Sequence, residues 1–401
     1  MPQISNRTKN LGTESAFDVL KEVNELIHQG KDVVNFCIGQ PDFDTPEYIK
    51  EAAIKAIRDG KTGYTPSPGI PELREAVAEY LSETRNIDVK PEWVIVANGA
   101  KPFISYTILS VTDYGKGDEV LYPNPGFPIY ESQIRANGAV PVPLPLLERK
   151  KYAFDVEYLE SKITEKTRLL ILNSPHNPTG GVLDKDILEQ IADIVKRHEN
   201  LWVFSDEIYS RMVHDGEFVS IASFPGMQER TIIVDGVSKS YAMTGWRIGF
   251  AANEKLAPYL SRWITNTDSC AAHPNQYAAL AALTGPQDES KKMMEIFKKR
   301  RDIIVEGLNK IEGITCLKPE GAFYAWPNVT QACKIVGAKD SEEFRKRLLY
   351  DAGVAVLSDI HFGFKNEDEG EHIRFSYATS EDNIREGLRR VQRYIEENRV
   401  E

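Results

Sequence analysis

The chain is 401 residues long, which at about 100–200 residues per domain allows two or three domains and excludes a peptide factor or a lone small module. Its 49 Lys+Arg against 60 Asp+Glu leave a net charge of −11, so phosphate backbones and anionic membrane surfaces repel it; nucleic acid and lipid are not expected as main partners. With 41% hydrophobic and 27% charged residues, the composition is that of a folded, soluble protein.

The cysteines, Cys37, Cys270, Cys316 and Cys333, make no C-x-x-C pair and have no histidine at metal-ligand spacing, so reduced thiols in a cytoplasmic protein and no metal site are expected. The first ten residues lack the apolar core of a signal peptide, and no later apolar run approaches the ~20 residues of a membrane span.

In chain order, the stretches Gly39–Pro46 and Gly63–Gly69 are rich in turn residues and read as loops. From about residue 92 to 252, short apolar runs read as strands buried on both faces: Val94–Ala97, Glu119–Tyr122, Leu169–Leu172, Leu201–Phe204, Thr231–Val234 and Ile248–Ala251. Between them lie stretches of helical period such as Leu183–His198, with Leu188, Ile191, Ile194 and Val195 on one face. This alternation predicts an α/β fold with a mainly parallel sheet flanked by helices. Glu289–Glu312 reads as a long connecting helix. Apolar segments near Phe323–Trp326, Val354–Leu357 and Ile373–Tyr377, then an amphipathic helix from about Glu381, predict a smaller α+β domain.

Ligands of parallel sheets sit beyond the carboxyl ends of the strands, so the residues there carry the functional reading. Lys239 follows one strand and, partly removed from water, could act as an imine-forming nucleophile. Asp206 ends another, and Tyr209 lies one helical turn beyond it if Asp206 opens a helix. Asn177 is the centre of the turn-forming run Asn173–Gly180. Asn98-Gly99-Ala100-Lys101 precedes a helical pattern whose first amides could cradle an anion, and Arg247 could add a forked donor. Taken singly, these have ordinary readings: a solvated lysine, an ion pair, a β-turn, a common strand–Gly–helix turn. Together, lysine, carboxylate, phenol, amide and anion nest specify pyridoxal phosphate chemistry.

The runs Ser174-Pro-His-Asn-Pro-Thr-Gly180, Ser205-Asp-Glu-Ile-Tyr209 and Ser238-Lys-Ser-Tyr-Ala-Met-Thr-Gly-Trp-Arg247 closely resemble the class I/II aminotransferases of pyridoxal-phosphate fold type I, in the branch similar to aspartate aminotransferase. The resemblance extends from about Val33 to Arg390. It implies that Lys239 joins pyridoxal 5'-phosphate as a Schiff base and then moves the substrate α-proton, that Asp206 keeps the pyridine nitrogen protonated, and that Asn177 and Tyr209 hydrogen-bond the ring 3-oxygen. Phe127 would stack on the ring. Backbone amides around Gly99, Ala100 and Lys101, with Ser238 and Arg247, would hold the phosphate. Tyr64 would reach it from the neighbouring subunit, which implies a homodimer with shared sites. Arg374 would grip the substrate α-carboxylate, helped by the Gly39 backbone and Asn177. One departure stands out: many relatives carry a phosphate-bonding serine three residues before the lysine, where this chain has Gly236.

The expected organisation is a large cofactor-binding domain over residues 46–290 and a small domain from 1–45 with 291–401. The expected reaction is ping-pong transamination between amino acids and 2-oxo acids, with glutamate and 2-oxoglutarate as one pair. A carbon–sulfur β-lyase is the rival within the same cofactor chemistry. A non-catalytic cofactor-sensing regulator is a remoter alternative that the sequence gives little room.

Overall fold

In the computed structural model, residues 2–9, 11–12 and 16–400 are described. The first strand, β1 (Val34–Asn35), lies parallel to a strand from far along the chain. The next seven make one sheet: β2 (Val94–Ala97), β3 (Glu119–Asn124), β4 (Val140–Pro145), β5 (Thr167–Asn173), β6 (Trp202–Asp206), β7 (Thr231–Gly236) and β8 (Gly249–Ala252). Their order across the sheet is β2-β8-β7-β6-β5-β3-β4, and β8 alone runs opposite to the other six.

Alternate residues of each strand feed opposite cores, as the two-residue period of a strand requires. Ile95, Val120, Leu169, Ile171, Phe204, Ile232 and Ala251 pack on one face with Phe103 and Tyr130. On the other face, Leu121, Leu170, Leu172 and Val203 pack with Leu188 and Ile191 of the helix Lys185–Arg197, whose start is fixed by the Asp184 carboxylate accepting the Ile187 amide at 2.8 Å. The sheet is therefore covered on both sides, and the expected α/β architecture is the observed one.

Three details differ from the expectation. Strand β4 was not anticipated, because Val140-Pro-Val-Pro-Leu-Pro145 carries three prolines; an edge strand tolerates them, since each lacks only a donor that would otherwise face outward. The last strand of the sheet begins one residue later than the apolar run and is antiparallel. Asp206 does not open a helix. It is the last residue of β6, and the chain beyond it makes a turn in which the Ser210 amide donates to the Glu207 carbonyl at 2.8 Å.

Beyond the sheet, the helix Asp288–Leu308 leads to β9 (Tyr324–Ala325), β10 (Val354–Ala355), β11 (Leu357–Ser358), β12 (Ile373–Ser376) and the helix Glu381–Glu397. Strands β11, β12 and β9 form an antiparallel sheet, while β10 pairs with β1. Val34 and Phe36 share one core with Phe297, Ile304, Ile384 and Val391, which ties the beginning of the chain to its end. Among the described residues no helix is long and apolar enough to cross a membrane.

Candidate active site

Strands β5, β6 and β7 end side by side, and the residues that follow them surround a cavity of about 500 Å³. Asp206 reaches it from the face of the sheet it shares with Phe204. Its carboxylate accepts the Tyr130 hydroxyl at 2.5 Å and the Ile208 amide at 3.4 Å. Burial pushes the carboxyl up to about 6, and the Tyr130 hydrogen bond opposes that rise.

Lys239 stands three residues past β7, with its Nζ donating to the Gly39 carbonyl at 2.5 Å and lying 5.8 Å from the centres of the Tyr209 and Phe323 rings. Tyr209 is buried, and its hydroxyl is 2.7 Å from that of Tyr324. A Cβ on Gly39 would fall on the Tyr324 hydroxyl, so a side chain there would require that ring to shift.

Arg374, on β12, is buried between the Tyr324 and Phe362 rings at 4.4 and 4.7 Å. Nη1 donates to Asn177 Oδ1 at 2.8 Å and Nη2 to the Cys37 carbonyl at 2.6 Å, whereas its buried Nε has no partner. A buried cation with donor capacity left over is suited to an anion arriving in the cavity. Beside Asn177, burial pushes His176 down to about 3, so no second cation competes from that turn at neutral pH.

The opposite wall is the loop Asn98–Lys101, leading into the helix Pro102–Val111. Gly99 has φ +91°, and a Cβ on it would fall on the Arg247 guanidinium. Arg247, exposed in the single chain, donates to the Asn98 carbonyl at 3.3 Å and the Thr244 carbonyl at 2.9 Å, which lays its guanidinium against that loop. A Cβ on Gly249 would fall on the Gly99–Ala100 backbone, so β8 supports the loop from below. Ser238 is buried at the same cavity, and Ala100 and Lys101 line it. Lys101 Nζ lies 5.3 Å from the Phe127 ring centre, and Phe127 meets Tyr130 edge to face at 5.7 Å.

Of the residues anticipated from sequence, Gly39, Ala100, Lys101, Phe127, Asn177, Asp206, Tyr209, Ser238, Lys239, Arg247 and Arg374 line this one cavity. Gly99 shapes its wall, and its amide donates to the Ala97 carbonyl at 2.7 Å. Tyr64 is 90% exposed and lies away from the cavity within one chain. Gly236 faces Gly249 across β7 and β8, and a Cβ there would sit 3.0 Å from Gly249 Cα, so the two strands pack closely where many relatives carry the serine. Tyr130, Tyr324 and the Cys37 carbonyl were not anticipated, since nothing in their local sequence ties them to the strand ends.

The donor set fits pyridoxal phosphate: a lysine, a buried carboxylate to face a protonated ring nitrogen, and an anion cradle at a helix start flanked by Arg247. The fold and this site together define a pyridoxal-phosphate enzyme of the aminotransferase class. The family model for aminotransferase class I and II matches residues 31–391, and the chain belongs to that family. A probable aspartate/prephenate aminotransferase of Aquifex aeolicus is 40% identical over 98% of this chain and 99% of its own. The aspartate aminotransferase of Bacillus subtilis is 37% identical over 99% and 100%. The crystal structure of the Rhizobium meliloti aspartate aminotransferase superposes with a TM-score of 0.93 at 34% identity, covering 99% of each chain. The protein is a pyridoxal-phosphate-dependent transaminase.

Proposed function

We propose that the protein is a cytoplasmic homodimer that transfers the amino group of aspartate to 2-oxoglutarate in a ping-pong cycle. The observation that carries this reading is one cavity uniting the Lys239 amine, the Asp206 carboxylate and the partly unsatisfied Arg374 guanidinium. Several relatives are named aspartate aminotransferase, and aspartate brings a second carboxylate for which the Lys101 ammonium in the same cavity is the cation.

Pyridoxal phosphate, when bound, supplies a carbonyl that takes up the amine and a ring that accepts the electrons left when the α-proton departs. Arg374 grips the substrate α-carboxylate through two parallel hydrogen bonds, with Asn177 and the Gly39 backbone beside it. Lys239 takes the proton from the substrate α-carbon as a base and, as an acid, would deliver it to the exocyclic carbon of the cofactor and not back to the α-carbon. Asp206 would keep a proton on the ring nitrogen, and Asn177 and Tyr209 would hydrogen-bond the ring oxygen. Phe127, which lines the cavity, would stack on the ring. Ser238, Arg247 and the amides of Ala100 and Lys101 would hold the phosphate, and Tyr64 of the partner subunit would complete its set of donors. The nearly complete exposure of an aromatic ring at Tyr64 supports a covering subunit.

The same reading divides the chain into a cofactor-binding domain at 46–290 and a smaller domain of 1–45 with 291–401. The pairing of β1 with β10 and the core shared by Phe36 and Val391 support that division.

The test is the visible spectrum of the purified holoenzyme as single amino acids are added without any oxo acid. Aspartate and glutamate are expected to bleach the cofactor band, and 2-oxoglutarate to restore it. A band that ignores aspartate but falls with another donor overturns the substrate. Release of pyruvate and ammonia from cysteine conjugates, with no bleaching by either acid, turns the reading to β-elimination.

A further inference from the structure

Strand alternation turns Ser205 away from the face that carries Asp206, toward a second set of charges outside the cavity. Arg85, the last residue of the helix Pro71–Arg85, is 3% exposed. Its Nε donates to Glu207 at 2.8 Å, and its Nη2 donates to Asp235 at 2.6 Å and to the Ser210 hydroxyl at 2.9 Å. Glu207 and Asp235 are each 1% exposed. The second oxygen of Glu207 accepts the hydroxyls of Ser205 and Ser220 at 2.8 and 2.6 Å. Asp235 accepts Tyr80 at 3.2 Å and Ser210 at 3.1 Å, and its other oxygen takes the Gly236 amide at 2.7 Å.

One cation for two acids, taken wholly out of water, is a poor way to gain stability, because apolar side chains of the same volume usually do as well or better. What the cluster does provide is geometry. Glu207 is the residue after Asp206, and its amide donates to the Val234 carbonyl at 2.8 Å, extending the β6–β7 ladder. Asp235 holds the Gly236 amide at the end of β7, three residues before Lys239. Gly236 packs on Gly249, which in turn supports the Gly99–Ala100 loop. A single guanidinium thus joins the two strand ends that present Asp206 and Lys239.

We infer that Arg85 is a positioning residue for transamination: by clamping Glu207 to Asp235 it fixes the Asp206 carboxylate relative to the Lys239 amine. The inference rests on the roles proposed above for those two residues. Arg85→Met removes the charge, and Arg85→Lys keeps the charge but loses the fork, which guards against a variant that does not fold. Four quantities are read: backbone amide exchange at 206–210 and 236–239 in the cofactor-free protein, kcat and KM for aspartate, and the pH at which the bound cofactor's visible band changes.

In the folded variants exchange is expected to quicken at those amides and not across the sheet. The value of kcat is expected to fall on the order of 10- to 100-fold, the loss that a small misplacement of reacting groups brings, with KM changed less than about threefold. The band midpoint is expected to move. Wild-type exchange, kcat and midpoint in folded Arg85→Lys overturn the inference, and so does faster exchange throughout the sheet. Asp206→Ala, measured alongside, separates the two failures. If it keeps wild-type kcat, the role of Asp206 falls and the inference with it. If it is crippled while Arg85→Lys is not, only the positioning role falls.

Discussion

Tyr130 donates its hydroxyl to the Asp206 carboxylate at 2.5 Å, across 76 residues of chain, and this bond opposes the effect of burial on that carboxyl. Burial makes the charge costly and lifts the carboxyl to about 6, while the phenol stabilises the anion and draws it down. The balance leaves a carboxyl that is mostly ionised at pH 7 despite its burial, and a buried carboxylate is what keeps a proton on a neighbouring ring nitrogen.

That balance has a consequence for the cofactor-free protein. A carboxyl at about 6 in the folded state and near 3.8 in the unfolded chain binds its proton more tightly when folded. Its contribution is therefore greatest below pH ~4, lost as pH rises toward about 6, and constant above. Asp206→Asn, which keeps an acceptor for Tyr130, is expected to be more stable than wild type at pH 7, by up to roughly 3 kcal/mol, and equal to it below pH ~4. Urea unfolding at the two pH values measures this, and equal midpoints at pH 7 would contradict the desolvation of Asp206.

Arg374 holds Asn177 and the Cys37 carbonyl at once, so its removal strips partners from two elements as well as a cation from the cavity. Arg374→Ala is expected to weaken every amino donor by about 2–5 kcal/mol, roughly thirty-fold or more in KM. Arg374→Lys is expected to recover little, because a point charge cannot replace the fork. Steady-state kinetics with aspartate, glutamate and alanine measure the effect, and unchanged constants for all three would place the carboxylate grip elsewhere.

Lys101 separates donors by their side chains. Lys101→Ala is expected to raise KM for aspartate by roughly tenfold, a loss of about 1.4 kcal/mol, and to leave alanine within about twofold. Equal losses for both donors in a titration of each would return Lys101 to the phosphate alone.

The strands and their ends were readable because burial on both faces makes β3, β5 and β6 continuous apolar runs, and a functional residue that ends such a run can be located by counting. Asp206, Asn177 and Lys239 were found that way, whereas the roles of Phe127 and Arg374 came from the family resemblance. Strand β4 was hidden by its prolines, which argue against a strand everywhere except at an edge. Tyr130, Tyr324 and Arg85 were hidden for a different reason. They meet Asp206, Tyr209 and Glu207 across 76, 115 and 122 residues, and no local period or spacing encodes a contact that only the closed sheet creates.

Tyr64 and Lys239 give the sharpest test of the shared site. In a twofold dimer each cavity would combine Lys239 of one chain with Tyr64 of the other. A chain carrying Tyr64→Ala and a chain carrying Lys239→Ala each build homodimers whose two sites are defective, and Lys239→Ala alone is expected to lose at least about 100-fold in turnover. When the two chains are expressed together, the mixed dimer has one site that lacks both residues and one that is complete. Random pairing makes half of the dimers mixed, so activity is expected to return to about a quarter of wild type per site. Purified mixed dimers, separated by two different affinity tags, should reach about half. Activity no greater than the average of the two parent variants would mean that Tyr64 does not cross the interface, and its exposed ring would need another occupant.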